Sequence, residues 1–160
     1  CIIVSGTSRD ERRLALAREL GAHYTIDVDK EDLIKRVAEI TRGQLADVVV
    51  DVAAGGPKVV VAAVDAAKKG GKVILAGSKG RPIPEFLSDW LIKKYLTMKG
   101  VRGHSYHAVE LAIQLIASRK YPLHKFSTHQ FSLSRVDEAL RTVGGEGAPD
   151  SIHVTVLPWQ

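Results

Sequence analysis

Few side chains in this sequence could carry out chemistry, and most of the tempting pairs fail on geometry. Tyr121 and Lys125 have the i, i+4 spacing that lets a phenol and an ammonium share acid–base work, and Tyr95 and Lys99 repeat it. Such a pair needs one helical face, which Pro122 interrupts in the first case, while residues 96–99 read as strand in the second. His104 with His107, and His124 with His129, lack Cys or carboxylate partners at metal-ligand spacing. Gly77-Ser78-Lys79-Gly80 is too short for a phosphate-cradling loop, and no Gly-x-Ser-x-Gly elbow is present. We assign no catalytic residue and no metal ligand to the chain. What remains is Ser5-Gly6-Thr7-Ser8-Arg9 with Arg12 and Arg13 beyond it, where hydroxyls and guanidinium groups suit ribose or phosphate recognition. Small residues also cluster in Val52-Ala53-Ala54-Gly55-Gly56 and Ala76-Gly77-Ser78, where a flat ligand could lie against backbone. Against these stand plain alternatives: glycine after a strand is commonly a turn residue, Ser8 could merely cap a helix, and the arginines could be surface charges.

The elements that would position these residues alternate between strand and helix. Residues 2–4 read as a β-branched strand. A helix follows, with Ser8 as its cap, Asp10 and Glu11 at its positive end and Gly21 closing it. Residues 24–27 form the next strand, and Leu33, Ile34, Val37 and Ile40 the stripe of a helix ending near Gly43. Residues 48–50 are the clearest buried strand. After Gly55-Gly56-Pro57, a Val- and Ala-rich run to Lys69 reads as helix, with Pro57 in its first turn and Gly70-Gly71 as its stop. Strand 72–76, a loop, helix 86–95, strand 96–101 and helix 106–118 complete the alternation. Beyond residue 121 the texture changes: strand 126–131, helix 136–143, a Gly-rich loop over 144–151 and a last strand, 152–157. Repeated β–α units with crossovers long enough for a helix define an α/β fold, a doubly wound parallel sheet, of which a Rossmann-like, NAD(P)-binding domain is one use. Its strands are unbroken apolar runs, as expected when both faces are covered.

Composition narrows the class further. The chain has 160 residues, of which 45% are hydrophobic, enough to bury one core. Its single cysteine, Cys1, excludes an internal disulfide and a Cys-rich zinc cage and fits a reducing, cytoplasmic compartment. No apolar run reaches the roughly 20 residues of a membrane span. The net charge of +5 and pI near 9.4 permit a phosphate-bearing ligand. An aromatic content of only 6% and scattered basic residues argue against nucleic acid.

Open parallel sheets bind ligands at the carboxyl ends of their strands. In dinucleotide folds, an acidic residue at the end of the second strand holds the adenosine ribose. If strand 2–4 is that strand, Gly6 occupies the acidic position. With Arg9, Arg12 or Arg13 nearby, this leaves room for a 2′-phosphate and tilts the reading towards NADP over NAD.

Together the residues resemble the cofactor domain and C-terminal segment of zinc-type medium-chain alcohol dehydrogenases, in the branch of polyol, threonine and secondary-alcohol dehydrogenases. The resemblance is carried by Arg12-Arg13-Leu14-Ala15-Leu16-Ala17-Arg18-Glu19-Leu20-Gly21-Ala22, Ile26-Asp27, Ala46-Asp47-Val48-Val49-Val50-Asp51, Gly70-Gly71-Lys72-Val73-Ile74-Leu75-Ala76-Gly77 and Met98-Lys99-Gly100-Val101-Arg102-Gly103. It implies that Gly6, Thr7, Ser8 and Arg13 surround the adenosine ribose. Val52, Ala53, Ala76, Gly77, Val101 and Arg102 would line the adenine and nicotinamide sides. His153 would stand where many members place an arginine against the pyrophosphate, a weaker and pH-dependent contact. The first strand with its Gly-rich loop, the substrate pocket and the catalytic zinc ligands have no counterpart here. The expectation is therefore a chain that opens inside the second strand of the fold. Residues 1–103 would form a partial NAD(P)-binding domain, and 104–160 a segment that packs on a catalytic domain. The missing strand would leave a gap between strands 2–4 and 48–50. In the complete protein hydride would pass between a small alcohol or carbonyl substrate and nicotinamide. A zinc-free quinone or enoyl reductase of the same superfamily, or a non-catalytic nucleotide-binding module, are the alternatives. A homo-oligomer is expected, joined through a sheet edge formed by strands 72–76 and 96–101.

Overall fold

Every strand pair in the structure is parallel. A computed structural model describes residues 1–160 apart from Gly55, Pro84, Glu85, Leu87, Pro149 and Gln160. It divides into two compact units, Glu31–His104 and Cys1–Lys30 with Ser105–Gln160.

In the unit Glu31–His104, helix α2 (Leu33–Ile40) starts where the Asp32 carboxylate accepts the Lys35 amide at 2.7 Å. This is N-capping, which satisfies one of the helix's free donors. Strand β3 (Ala46–Asp51) leads to α3 (Lys58–Ala66), then β4 (Ala67–Leu75), α4 (Asp89–Lys93) and β5 (Thr97–Gly100). The strands order as β3-β4-β5. Ala63, Val64, Ala67 and Val73 form the core, with Val49, Leu75, Phe86, Leu91, Leu96 and Met98 packed on it. Val49, Val73 and Met98 stand in one register row and Asp51, Leu75 and Gly100 in another, so the residues that follow share the carboxyl edge of the sheet. Helices cover one face only: Val48 and Val50, on the other, are 51% and 57% exposed, contrary to the two-sided cover expected from their apolar run.

The Val/Ala run corrects the sequence expectation. Helix α3 stops at Ala66, Ala67 turns extended, and Gly70-Gly71 lies inside β4 instead of ending the helix. The glycines serve a bulge: pairing jumps from Ala46↔Ala67 to Val48↔Lys72, and a Cβ on Gly71 would come within 2.8 Å of the Lys68 carbonyl oxygen. Helix 86–95 shortens to α4, with Leu87 outside the described residues. Strand 72–76, as part of β4, is paired on both sides, so it offers no edge to a second subunit; β5 does.

In the other unit, β1 (Ile3–Gly6) pairs with β2 (Tyr24–Asp27) around α1 (Glu11–Glu19). Gly21 closes α1 in the left-handed region, at φ 104°. Helix α5 (Tyr106–Ala117) is exposed along its whole length, with Ile113 and Ile116 60% and 61% accessible. Strands β6 (Ser127–Ser132) and β7 (His153–Leu157) pair around α6 (Val136–Val143). The Gly-rich loop before β7 includes Pro149, outside the described residues. Among the described residues β1 bonds only to β2 and β3 only to β4, so the edges expected to flank a gap are both unpaired. No helix among them is long and apolar enough to cross a membrane.

Candidate dinucleotide site

One candidate region lies at the carboxyl edge of β3, β4 and β5. Leu75, Ala76, Gly77, Ser78, Gly100, Val101 and Arg102 line a hollow of about 260 Å³. Ligand pockets span roughly 300–1,000 Å³, so this one suits a single ring of a dinucleotide. Four residues expected from the sequence, Ala76, Gly77, Val101 and Arg102, meet there. The Ala76 and Gly77 amides donate to the Asp51 carbonyl oxygen at 2.8 and 3.0 Å, and the Val101 amide to that of Leu75 at 2.9 Å. The floor is therefore fixed backbone.

Val52 and Ala53 stand on the adjoining loop, both exposed. The Ala53 amide donates to Asp51 Oδ1 at 3.1 Å. A Cβ on Gly77 would lie 2.1 Å from the Ala53 carbonyl oxygen, so only glycine lets the two loops touch. Lys79, which the sequence offers only within a loop too short to cradle phosphate, completes this contact. Its Nζ donates to the Ala53 carbonyl oxygen at 2.5 Å and stands 2.6 Å from Asp51 Oδ2. The side chains are 8% and 2% exposed, and the contact is ionic without the alignment of a hydrogen bond, leaving that oxygen without an aligned donor. The signal available in the sequence was an Asp closing one buried strand and a lone Lys in the Gly-rich loop after the next.

A separate candidate region, in the other unit, is the loop after β1. Thr7 caps a 3-10 turn, Ser8–Asp10, that leads into α1; Ser8, the expected cap, points elsewhere. The Thr7 amide and hydroxyl donate to Asp10 Oδ2 at 3.0 and 2.7 Å. The Ser8 hydroxyl donates to Asp27 Oδ2 at 2.8 Å and its amide to Asp29 Oδ2 at 2.9 Å. Arg13 pairs with Asp10 at 2.8 Å and donates to the Ser151 carbonyl oxygen at 2.5 Å, while Arg12 pairs with Asp150. Burial alone would raise the Asp10 pKa, but the Thr7 hydrogen bonds and Arg13 outweigh it and hold the carboxyl below its ordinary value. A hydrogen bond from Lys30 is the main cause that holds Asp27 low. Gly6 at the end of β1, Thr7 and Ser8 in the turn and Arg13 in the first turn of α1 are thus near one another, but carboxylates already engage the donors of Thr7, Ser8 and Arg13. His153 opens β7 on the surface, with its ring Nδ1 3.5 Å from the Thr155 hydroxyl.

Parallel strands joined by helical crossovers, with a hollow at the carboxyl edge of β4 and β5, define an α/β protein of Rossmann-like fold. Residues 1–118 match the family model described as zinc-binding dehydrogenase, and the chain belongs to that family. It is 35% identical to the Mycobacterium tuberculosis protein named "Probable alcohol dehydrogenase adh", over 98% of this chain and 44% of the relative. Among solved structures, an alcohol dehydrogenase from Thermotoga maritima superposes with a TM-score of 0.81 at 24% identity, covering 95% of this chain and 41% of that one. A short chain alcohol dehydrogenase from E. coli CFT073, complexed with cofactor NADH, gives 0.78 at 23%, covering 96% and 43%. The chain thus spans less than half the length of these relatives. Zinc does not fit here: among the described residues no group of three or more His, Cys, Asp or Glu side chains could hold a metal ion.

Proposed function

We propose that the chain supplies the cofactor-binding walls of a nicotinamide-dinucleotide-dependent alcohol or polyol dehydrogenase. The observation that carries this is the backbone-floored hollow at the ends of β4 and β5, in a chain of the zinc-binding dehydrogenase family. When bound, the nicotinamide would exchange hydride with the carbon of a small alcohol or carbonyl substrate. In this reading Ala76, Gly77, Val101 and Arg102 seat one ring, Val52 and Ala53 wall the neighbouring part, and Gly6, Thr7, Ser8 and Arg13 meet the adenosine ribose. His153 serves the pyrophosphate side. Residues 1–103 act as the cofactor part and 104–160 pack on the remainder of a longer polypeptide, which is supported by the apolar exposure of α5. A cytoplasmic homo-oligomer, with β5 as its free edge, completes the proposal.

The sequence tilts towards NADP, but the loop geometry supports NAD. Asp10, Asp27 and Asp29 converge on Thr7 and Ser8. A 2′-phosphate brought there would face like charges and compete for donors already in use, whereas ribose hydroxyls can donate to carboxylates. The NADH complex of the E. coli relative points the same way. Calorimetric titration of the folded chain tests both levels. NADH should bind roughly tenfold tighter than NADPH, equivalent to about 1.4 kcal/mol. The reverse order overturns the NAD preference; no binding of either overturns the cofactor role of the chain.

A further inference from the structure

We propose that Lys79 is a positioning residue that clamps the loop after β3 onto the loop after β4 and so presets the wall of the cofactor hollow, an inference that rests on the dinucleotide-binding reading. A lysine buried to 8% exposure is costly unless it is paired. Here the ammonium is divided between two partners on one loop, the Asp51 carboxylate and the Ala53 carbonyl oxygen. Asp51 in turn holds Ala53 through Oδ1, and Ala76 and Gly77 through its own carbonyl oxygen. Every residue of this set is next to, or lines, the hollow. Ordinary turn formation accounts for none of it: a surface loop does not need a buried ammonium, and Ala53 is itself exposed. The arrangement makes sense if the backbone of both loops must be rigid before a flat ligand arrives, since ordering them on binding would cost affinity.

The test compares Lys79→Met and Lys79→Arg in the full chain by amide hydrogen exchange, NADH titration and urea unfolding. Lys79→Met should speed exchange at Ala53, Ala76 and Gly77 roughly tenfold and weaken NADH by about the same factor. Val73, in the core beneath, should keep its exchange rate. Lys79→Arg, which keeps a cation on the same partners, should restore most of the NADH affinity. If Lys79→Met does not fold, Asp51→Asn with Lys79→Met removes both charges and carries the same expectations. Unchanged exchange at the three amides, or equal acceleration at Val73, overturns the clamp. Faster loop exchange with unaltered NADH affinity overturns the positioning role. An unmodified chain that fails to bind NADH sinks the functional reading separately, and the exchange pattern then decides the clamp by itself.

Discussion

The two candidate regions, one in each unit, are built by opposite means. The edge of β3, β4 and β5 is fixed from below: a buried Asp51–Lys79 pair, backbone hydrogen bonds to Asp51, and a glycine pressed against a neighbouring carbonyl. The loop after β1 is fixed from the side by carboxylates that keep some contact with water, Asp10 with 28% and Asp27 with 16% of their side chains exposed. Removing one partner of a buried ion pair costs several kcal/mol because the other charge is left uncompensated, whereas exposed ion pairs contribute less than about 1. The edge of β3, β4 and β5 therefore behaves as a wall whose shape is set in advance. The loop after β1 is a turn whose donors can be recruited at small cost, as suits its proposed part in choosing between cofactors.

Substituting a methyl group on each side tests this contrast most directly. Gly77→Ala drives a Cβ to 2.1 Å from the Ala53 carbonyl oxygen, backbone against backbone with nothing flexible to give way. We expect a loss of about 3 kcal/mol in urea unfolding, at the upper end for overpacking. A loss below about 1 would mean that the wall is softer than the loop and would break the comparison. Next, Asp10→Ala removes the acceptor for the Thr7 amide and hydroxyl and the partner of Arg13. Loss of a capping interaction of this kind costs about 1 kcal/mol, and a value near 3 would show that the loop is no weaker than the wall. Gly6→Ala brings its Cβ to 3.0 Å from Asp10 Cβ, which the turn Ser8–Asp10 must shift by a few tenths of an ångström to accommodate, and to 3.3 and 3.4 Å from Asp10 Oδ2 and a Leu14 methyl, which can rotate away. Its cost should stay near 0.5 kcal/mol, several-fold below Gly77→Ala in the same assay.

The same contrast explains what could be read in the sequence. Elements with local causes were legible: residues 24–27 and 136–143 came out as expected, and α2 ended where its stripe did. The small residues at Ala76-Gly77 and Val52-Ala53 marked the wall because close backbone approach needs small side chains. What failed was long-range. Gly70-Gly71 looked like a helix stop because a bulge depends on a partner strand that the local pattern does not reveal. The Asp51–Lys79 pair joins residues far apart in the chain, and no spacing rule links them. Thr7, Ser8 and Arg13, expected around an adenosine ribose, lie close together in the chain, in the turn after β1 and the first turn of α1. Their donors were read as free for a phosphate because the carboxylates of Asp27 and Asp29 arrive from the end of the next strand.

The smallest effect to expect is a response to pH, and it separates the two regions without any substitution. The Asp10 carboxyl titrates below the ordinary value of 3.8 in the folded chain, as does that of Asp27, while Asp27 raises Lys30 above 10.5. A depressed carboxylate contributes stability above its unfolded pKa and loses it as pH falls through the folded one. A raised ammonium contributes below its unfolded pKa and loses that as pH rises through the folded value. The loop after β1 should therefore hold steady between these limits and loosen only in strong acid or strong alkali. These are exposed groups, so salt should weaken the effect. Amide shifts of Thr7, which donates to the Asp10 carboxylate, should move as pH drops below 3.8, whereas those of Ala76 and Gly77, which donate to a backbone carbonyl oxygen, should not. A Thr7 amide that shifts between pH 5 and 7 would assign the loop to a titrating group other than Asp10, and an equal response at Gly77 would erase the distinction between wall and loop.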